Sequence, residues 1–395
     1  MSSQRYLIRG RLPDDDRVVD IRLQDGTIMS VRRPGRATPD LGGDDVIITP
    51  ALFDIQVNGA FGIDLQASDL VVEHIYALNA ALLRKGVVRW MPTLVTDSVA
   101  AMERRCRVFA EALSDPQLAR CIPGIHLEGP HISPEDGPRG AHPPEHVLAP
   151  STRVFNRLYQ AAAGKVCCLT LAPELPGATR LIRFAVHRGV VAALGHHAAD
   201  ARHIAAAVAA GARLCTHLGN GMAPRIHRHH NALWPQLAED RLFASVIADL
   251  EHIPPEALRV FSRAKGPERI ILTSDSMSLA GMKPGTYQLF GAEVKMKRSG
   301  RVCLAGTELL AGSSLMLLQG VWNMYRHTDL SLGQCLAAAS TTPARLFNVP
   351  AAPWPPAPGQ QASFLVCREI PVGRNSTKPR VHALAHHGTI SIFES

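Results

Sequence analysis

The sequence predicts an α/β protein built around a (β/α)8 barrel, with a smaller β domain beside it. Eight short apolar runs alternate with amphipathic helical segments between residues 46 and 274, which is the repeat that such a barrel requires. Strand-like segments lie before and after this region. The chain has 395 residues, which is more than a single hydrophobic core usually serves. A doubly wound parallel sheet is the main alternative.

The eight apolar runs are the candidate barrel strands. They cover residues 46–57, 87–95, 122–128, 166–172, 190–195, 212–217, 244–249 and 269–274. Helical patterns lie between most of them, at residues 70–85, 99–113, 178–188, 199–210 and 254–265. The last of these helices opens with Pro254-Pro255, which suits the first turn of a helix.

The two ends of the chain favour strands. Before the barrel, residues 6–8, 18–23 and 27–31 predict strands, Asp25-Gly26 is typical of a hairpin turn, and residues 34–45 form a link rich in Gly, Pro and Asp. After the barrel, residues 313–326 and 331–347 predict helices, residues 350–358 are rich in proline, and residues 362–366 and 389–393 predict strands. We therefore expect a small β domain of residues 1–48 plus 349–395 beside a barrel of residues 49–348.

Composition excludes several classes of protein. Hydrophobic residues make up 46% of the chain and charged residues 19%, which is ordinary for a globular enzyme and unlike a disordered chain. No apolar run reaches the ~18 residues that a membrane-spanning helix needs. The first residues lack the apolar core of a signal peptide, so we expect a cytoplasmic protein.

The net charge of +8 does not indicate nucleic-acid binding, because the basic residues are scattered and no recognised motif accompanies them. We interpret the charge as a solvated basic surface, and attraction of an anionic metabolite is the alternative. The eight cysteines include no CxxC pair, and Cys167 and Cys168 lie in an apolar run. We expect reduced, buried thiols.

Polar side chains end five of the eight predicted strands. In a (β/α)8 barrel, catalytic residues lie at the C-terminal ends of the strands. The residues at these ends are Gln56 and Asn58, His126 and Glu128, His196, His217, and Asp275. Side chains that can bind a metal ion, placed at so many strand ends, indicate one shared site.

Glu128, His196 and His217 are the candidate metal ligands. One carboxylate and two imidazoles suit a single divalent ion and leave positions for water; Zn²⁺ is the first choice and Fe²⁺ also fits. Taken alone, each histidine is more often structural, and His217 could pair with a backbone carbonyl. Because the three residues end three different predicted strands, we favour the metal site.

Asp275 is the candidate acid/base. It follows the eighth run in Ile-Ile-Leu-Thr-Ser-Asp-Ser, where an acidic residue can also serve as a helix N-cap. Beside a metal site, a carboxylate can take a proton from the attacking water and later pass it to the leaving amine. We expect this catalytic role for Asp275.

The loops after the strands contain candidate substrate contacts, since loops at this rim usually hold the substrate. His142 follows the third run and could donate a hydrogen bond to the scissile carbonyl, and His252 follows the seventh run. A surface histidine is the alternative for each.

A basic loop follows the sixth run. It contains Arg225, His227, Arg228, His229 and His230. Guanidinium groups bind phosphate through paired hydrogen bonds, so the arginines are candidate phosphate ligands. A merely solvated loop is the alternative, and the histidines would also permit a second metal ion.

Short motifs at the strand ends carry a family resemblance from about Thr49 to Val349. They are Asp54-Ile-Gln-Val-Asn-Gly59, Gly124-Ile-His-Leu-Glu-Gly-Pro130, Gly140-Ala-His142, Leu171-Ala-Pro-Glu174, Gly195-His196, Thr216-His-Leu-Gly-Asn-Gly-Met222 and Ala311-Gly-Ser313. Together they resemble the N-acetylglucosamine-6-phosphate deacetylases of the amidohydrolase superfamily. His-Leu-Glu-Gly-Pro with a later Gly-Ala-His is the most specific part.

The resemblance implies a TIM barrel of the amidohydrolase type, a small β-sandwich domain formed by both termini, and usually a homodimer. It implies that Glu128, His196 and His217 bind the metal ion and that Asp275 is the acid/base. Gln56-x-Asn58 stands where other members carry His-x-His. The resemblance therefore implies one metal ion instead of two.

The resemblance also implies a set of substrate contacts. These are His142, Asn220, Gly221 and His252, with Arg228 at the phosphate-binding position. The implied reaction is hydrolysis of the acetamide of N-acetylglucosamine 6-phosphate, which gives glucosamine 6-phosphate and acetate.

Three loops depart from the family pattern. The family's His-Arg-Glu-Pro-Gly reads His227-Arg228-His229-His230-Asn231, so the surroundings of the arginine change. Phe-Asn-Ala-Met reads Gly219-Asn220-Gly221-Met222, which we expect to open space near the sugar. Asp-Gly-x-His reads Asp249-Leu250-Glu251-His252, with a bulky leucine in place of glycine.

These departures leave two alternatives for the function. One keeps the chemistry and changes the substrate to an unphosphorylated N-acyl amino sugar or another amide. The other is a barrel that has lost catalysis and serves as a binding or regulatory protein. The complete set of metal ligands and the acid/base argue against the second.

Overall fold

The computed structural model describes residues 4–289, 292–306, 310, 312–351, 354–371, 377–386 and 388–393. In chain order its strands are β1 (Arg5–Arg11), β2 (Val18–Gln24), β3 (Thr27–Arg32), β4 (Leu41–Pro50), β5 (Leu52–Val57), β6 (Gly59–Ala60), β7 (Ile63–Asp64), β8 (Val87–Val95), β9 (Ile125–Glu128), β10 (Val166–Leu171), β11 (Val191–Leu194), β12 (Leu214–Cys215), β13 (Phe243–Ile247), β14 (Ile270–Thr273), β15 (Gly285–Leu289), β16 (Ala292–Met296), β17 (Val302–Leu304), β18 (Phe364–Pro371), β19 (Thr377–His386) and β20 (Thr389–Ile392).

Helices lie between most of the barrel strands, and three more follow the last barrel strand. They are α1 (Val72–Leu83), α2 (Val99–Ala112), α3 (Pro116–Cys121), α4 (Thr152–Ala161), α5 (Ala178–Val186), α6 (Ala201–Ala209), α7 (Leu233–Ala238), α8 (Pro255–Lys265), α9 (Leu317–His327), α10 (Leu332–Ala338) and α11 (Thr341–Leu346), with a short 3₁₀ helix at Pro144–His146. Within the described residues, no helix is both long and apolar enough to cross a membrane.

The predicted barrel is confirmed. Eight parallel strands form one sheet in the order β5, β8, β9, β10, β11, β12, β13, β14. A parallel bridge between Val57 and Ser276 joins the ends of β5 and β14 and nearly closes the sheet into a ring. Each strand neighbours the one before it, whereas the strand order of a doubly wound sheet reverses. The doubly wound alternative is therefore excluded.

The two termini form a separate seven-stranded sheet in the order β3, β2, β1, β4, β18, β19, β20. Its own core contains Ile8, Ile21, Ile48, Phe364 and Val366. The predicted hairpin turn joins β2 to β3 at Asp25 and Gly26, which have φ of +49° and +74°. Strands from both ends of the chain therefore pair as expected, while the domain boundaries at residues 48 and 349 stay a prediction.

The first apolar run, residues 46–57, is not one strand. It is divided between β4, which pairs with β1 and β18 of the terminal sheet, and β5, which begins the barrel. Residues 46–57 are buried throughout, so the hydrophobic pattern does not change where the chain passes from one sheet to the other. The link predicted at residues 34–45 is also shorter, because β4 begins at Leu41.

Several other elements differ from the prediction. The helix expected over residues 331–347 is two helices, α10 and α11, separated at Ala339 and Ser340. Helices α3, α4 and α7, strand β19 and the three-stranded sheet of β15, β16 and β17 were not predicted. Helices α3 and α7 have six residues each, and β15 to β17 and β19 lie outside the repeat that defines the barrel. Helix α4 lies inside that repeat, with 10 residues between β9 and β10, and was missed.

Alternation along the strands builds the barrel interior in layers. An apolar layer contains Phe53, Met91, Cys168, Leu214 and Ile271. Side chains two residues further along a strand point to the same face of the sheet. Counted from Met91, Cys168, Leu214 and Ile271, those positions hold four buried threonines, namely Thr93, Thr170, Thr216 and Thr273. The candidate site lies beyond this polar layer, at the C-terminal ends of the strands.

Candidate metal centre and active site

Glu128, His196 and His217 lie together at the C-terminal face of the barrel. Oε1 of Glu128 is 3.1 Å from Nε2 of His196 and 2.8 Å from Nε2 of His217. The two Nε2 atoms are 3.1 Å apart. One potential ligand atom of each side chain lies within 4.8 Å of those of the other two, and all three residues are buried. The structure therefore brings together the three residues that the sequence predicts as metal ligands.

The electrostatics of this cluster favour a cation. Burial alone would raise the pKa of Glu128, but the hydrogen bonds and charges of His196 and His217 hold it well below its usual range. Burial would lower the pKa of His217, but the same contact with Glu128 raises it. Glu128 is 3% exposed, and an ionised carboxylate that is so deeply buried requires positive charge nearby.

Hydrogen bonds from surrounding groups fix these three residues, as is usual for metal ligands. Nδ1 of His196 lies 2.9 Å from the carbonyl oxygen of Pro138 and donates a hydrogen bond to it, which directs Nε2 towards Glu128. Nε2 of Gln56 donates to Oε1 of Glu128 at 3.0 Å. The backbone N–H of His217 donates to Oγ of Ser245 at 2.8 Å. The donor set and its supports fit a divalent ion of the Zn²⁺ or Fe²⁺ type.

Three residues of this site have a left-handed backbone. The φ angles of His196, His217 and Asp275 are +53°, +31° and +48°. Non-glycine residues rarely adopt this conformation, which costs on the order of 1–3 kcal/mol and persists only when surrounding contacts enforce it. Strain at three site residues, each at the end of a different strand, indicates a backbone arranged for function.

Asp275 lies beside the cluster and is buried. Nδ2 of Asn58 donates to its Oδ1 at 2.6 Å. Burial and the charge of Glu128 raise the pKa of Asp275 to about 7, against the opposing effects of His217, His252 and the Asn58 hydrogen bond. A carboxyl group whose pKa lies near neutrality can both accept and donate a proton at working pH.

His142 reaches the cluster from the loop after β9. Burial lowers its pKa to about 3, so the ring is neutral. The backbone N–H of Thr96 donates to Nδ1 at 3.4 Å, which leaves the ring proton on Nε2. That Nε2 lies 3.3 Å from Nε2 of His196. His142 therefore presents a hydrogen-bond donor to the centre of the site.

His252 is oriented by an aspartate of its own loop. Nδ1 of His252 lies 2.6 Å from Oδ2 of Asp249. Oδ1 of Asp249 accepts from the backbone N–H groups of Glu251 and His252 at 2.9 and 2.8 Å. The Nδ1 proton of His252 is therefore directed to Asp249, and its Nε2 is left for another partner.

Gln56 and Asn58 make hydrogen bonds at the site that the sequence did not predict. Their side-chain amides donate to the two carboxylates of the site, Glu128 and Asp275 respectively. The spacing of the two amides along β5 was the available signal, because alternate residues on a strand face the same side. Asp249 ends the seventh predicted strand in Asp249-Leu250-Glu251-His252, but its contact with His252 was not predicted. The carbonyl of Pro138 carried no such signal, because it lies in a loop.

The relatives of this chain agree with the geometry. No family model matches the chain. It is 34% identical to the N-acetylglucosamine-6-phosphate deacetylase of Homo sapiens over 327 residues, which covers 80% of this chain and 78% of the relative. It is 31% identical over 345 residues to the N-acetylgalactosamine-6-phosphate deacetylase of Escherichia coli O157:H7, which covers 87% of this chain and 89% of the relative.

A solved structure supports the same assignment. A mutant N-acetyl-D-glucosamine-6-phosphate deacetylase from Mycobacterium smegmatis, in complex with N-acetyl-D-glucosamine-6-phosphate, matches with a TM-score of 0.82 and 26% identity over 96% of this chain and 97% of that chain. The chain belongs to the N-acetylglucosamine-6-phosphate deacetylase family. As a member of this deacetylase family, it is a hydrolase of the amidohydrolase type.

The loop of residues 219–222, which departs from the family pattern, has no open space beside the Cα atom of Gly219. A Cβ atom at Gly219 would lie 2.9 Å from the ring of Phe261, and one at Gly221 would lie 2.9 Å from Nδ1 of His196. The space that a larger residue would need is therefore already filled. Nδ2 of Asn220 is buried and has no hydrogen-bond partner among the described residues.

The basic loop lies on the surface. Arg225, Arg228 and the histidines between and after them are exposed. The loop is held by its own bonds: Nδ1 of His227 accepts from the backbone of His230 at 3.0 Å, and Nε1 of Trp234 donates to the carbonyl of Arg228 at 2.9 Å. The guanidinium of Arg228 makes no hydrogen bond or ion pair with any described residue.

Leu250 departs from the family's glycine and is strained. Its φ is +66°, a conformation that costs a residue with a side chain about 1–2 kcal/mol. The side chain is half-buried and packs against the main core, while Asp249 and His252 fix the turn on either side. The deacetylase family pattern places glycine where this turn needs it, and this chain tolerates leucine through packing.

Replacing Leu250 by glycine and by alanine separates the strain from the packing, because both variants lose the same leucine contacts. We expect Leu250→Gly to be more stable than Leu250→Ala by roughly 0.5–1 kcal/mol, since relief of strain exceeds the extra chain entropy of glycine. Urea unfolding of both variants gives the difference in the free energy of unfolding.

The same pair of substitutions at Val260 is the control. Val260 is 48% exposed inside helix α8, where glycine is less stable than alanine by about 1 kcal/mol. The sign of the glycine–alanine difference should therefore reverse between the two positions. Equal signs would show that the turn at Leu250 carries no strain.

Proposed function

We propose that this chain hydrolyses the acetamide of N-acetylglucosamine 6-phosphate to glucosamine 6-phosphate and acetate. The main support is the buried cluster of Glu128, His196 and His217 with Asp275 beside it, in a chain that belongs to a deacetylase family. In the reaction, the amide C–N bond breaks, a C–O bond forms from water, and one water proton reaches the leaving nitrogen.

Glu128, His196 and His217 would hold one divalent ion, with Zn²⁺ our first choice and Fe²⁺ the alternative. Such an ion supplies Lewis acidity, which polarises the amide carbonyl and lets water ionise near neutral pH. Gln56 and Asn58 donate hydrogen bonds to carboxylates, and an amide N–H group cannot bind a metal. These contacts support a single ion over two.

Asp275 takes the proton of the attacking water and passes it to the leaving amine. Its pKa of about 7 suits both steps, because general acid–base groups work best near the operating pH. Asn58 fixes one carboxylate oxygen at 2.6 Å and leaves the other to transfer the proton. The Nε2–H group of His142 donates a hydrogen bond to the carbonyl oxygen, where negative charge develops.

The other contacts implied by the family resemblance belong to the sugar phosphate. Nδ2 of Asn220 is an unpaired donor at the site, the backbone of Gly221 lies against His196, and His252 offers the nitrogen that Asp249 leaves unused. Arg228 binds the phosphate, for which an unpaired guanidinium is the best-suited protein group.

We also propose a cytoplasmic homodimer with the domain division expected from the sequence. All eight cysteines are free thiols, which suits a reducing compartment. Ile226 on the basic loop is 42% exposed and Trp234 in the first turn of α7 is 47% exposed, and apolar side chains on such a surface are typical of an interface. Light scattering of the purified protein measures the oligomeric state.

A second substrate follows from one relative. The Escherichia coli relative is an N-acetylgalactosamine-6-phosphate deacetylase, so the 4-epimer is a candidate for this chain as well. The contacts assigned above concern the acetamide and the phosphate, which the two sugars share. Acetate release from both phosphorylated sugars and from unphosphorylated N-acetylglucosamine distinguishes these possibilities.

Asp275→Asn tests the acid/base role. We expect turnover of N-acetylglucosamine 6-phosphate to fall by ~10²–10⁴, with the metal content of the purified protein unchanged, because asparagine keeps the shape and loses the exchangeable proton. Acetate release and elemental analysis are the measurements. Asp240→Asn is the matched control, since the side chain of Asp240 is 79% exposed. Near wild-type turnover by Asp275→Asn would contradict the role.

Arg228→Ala tests the phosphate contact. We expect KM for the phosphorylated sugar to rise ~10–100-fold, the loss of a charge-assisted hydrogen-bond pair, while KM for the unphosphorylated sugar stays the same. Arg33→Ala removes an exposed arginine of the terminal sheet and controls for net charge. An unchanged KM for the phosphorylated sugar in Arg228→Ala would favour the unphosphorylated alternative.

A further inference from the structure

Hydrogen bonds join the chain just beyond the first and last barrel strands, β5 and β14, at the catalytic face, and we call this junction the seam. The backbone N–H groups of Asn58 and Gly59 donate to the carbonyl of Ser276 at 2.8 and 3.1 Å, beyond the ends of β5 and β14. Oγ of Ser276 returns a hydrogen bond to the carbonyl of Gly59 at 2.9 Å. Asp275 lies within this seam, between the two closing strands.

Asp54 is a buried acidic residue that contacts both closing strands. It opens the motif Asp54-Ile-Gln-Val-Asn-Gly59 and is 1% exposed. Its Oδ1 accepts from Oγ1 of Thr273 at 2.9 Å and from the backbone N–H of Ser274 at 3.1 Å. It also accepts from the backbone N–H of Gln56 at 3.3 Å. One carboxylate oxygen therefore joins β5 to β14.

Each of these contacts lies directly next to the active site. Ser274 precedes Asp275, whose φ of +48° is strained. Gln56 donates to Glu128 at 3.0 Å. Burial raises the pKa of Asp54, while the hydrogen bonds from Ser274, Thr273 and Gln56 oppose that rise. The carboxylate of Asp54 thus fixes the backbone of Ser274, directly before Asp275. It also fixes the backbone of Gln56, whose side chain donates to Glu128.

We propose that Asp54 is a positioning residue that holds the strained backbone of Asp275 in place relative to Glu128. The inference rests on the proposed acid/base role of Asp275. A left-handed residue relaxes unless neighbouring contacts fix it, and the Ser274 N–H bond to Asp54 is made immediately before the strained position. A displacement of ~1 Å at a catalytic group can lower turnover ~10²-fold.

The bond from Thr273 to Asp54 is the part of this contact that can be removed most cleanly. Thr273 is fully buried, and valine has nearly the shape of threonine without its hydroxyl donor. Thr273→Val therefore deletes one hydrogen bond of Asp54 and leaves Asp54, Asp275 and the metal ligands in place. Thr273→Ser keeps the hydroxyl and is the matched control.

Four quantities decide the outcome for each variant: kcat, KM for N-acetylglucosamine 6-phosphate, metal content and melting temperature. We expect Thr273→Val to lose at least ~10-fold in kcat, with KM within about twofold of wild type, since Asp275 acts in proton transfer and not in substrate binding. Metal content should stay unchanged. Thr273→Ser should restore kcat even though it removes a methyl group from the interior.

Asp54→Asn extends the test. Asparagine can still accept the three bonds with one oxygen, but it removes the charge and adds a donor, so we expect a larger loss of kcat than in Thr273→Val. If Asp54→Asn does not fold, the threonine pair still decides the question.

Three results would overturn the proposal. These are wild-type kcat in Thr273→Val, an equal loss in Thr273→Ser, and a loss of kcat in Thr273→Val that is accompanied by loss of metal or by a rise in KM. The last would mean that Asp54 only supports the barrel wall. Asp275→Asn is measured alongside, so that an active Asp275→Asn identifies failure of the acid/base role itself, separately from failure of the role of Asp54.

Discussion

The contact between the Glu128 carboxylate and the two imidazoles is the interaction on which the rest of the structure depends. Burying a carboxylate is costly unless positive charge and hydrogen bonds compensate for the lost water. Here His196 and His217 lie 3.1 and 2.8 Å from one oxygen, and Gln56 donates to the same atom. The cluster draws one side chain from the end of each of β9, β11 and β12, so it forms only when those three strand ends lie close together at the C-terminal face.

Strain and hydrogen bonding are coupled across the catalytic face. His196, His217 and Asp275 all have positive φ, and each is held by groups from other strands or loops instead of its own. The carbonyl of Pro138 orients His196, Ser245 holds the backbone of His217, and the seam of β5 and β14 surrounds Asp275. A closed barrel suits this arrangement, because every strand end has two neighbours that can supply such contacts.

The sequence was sufficient for the barrel and for the clustering of Glu128, His196 and His217, because both depend on repetition. Eight apolar runs, with Glu128, His196, His217 and Asp275 at their ends, carry the signal many times over. The boundary inside residues 46–57 could not be predicted, since buried strands of two sheets look alike in hydrophobicity. The contact of the Pro138 carbonyl with His196 could not be predicted either, because loop geometry leaves no periodic pattern in the sequence. The expectation of open space at Gly219 failed because Phe261 comes from a distant helix.

The most direct test of this account is the metal stoichiometry of the chelator-stripped protein, measured by calorimetric titration with Zn²⁺. One ion per chain, with binding lost in Glu128→Gln and kept in Asn58→Ala, is the result that the account predicts. Two ions per chain would mean that the amides of Gln56 and Asn58 do not exclude a second site. Binding that survives Glu128→Gln unchanged would contradict the central claim that the buried carboxylate and the two imidazoles hold the ion.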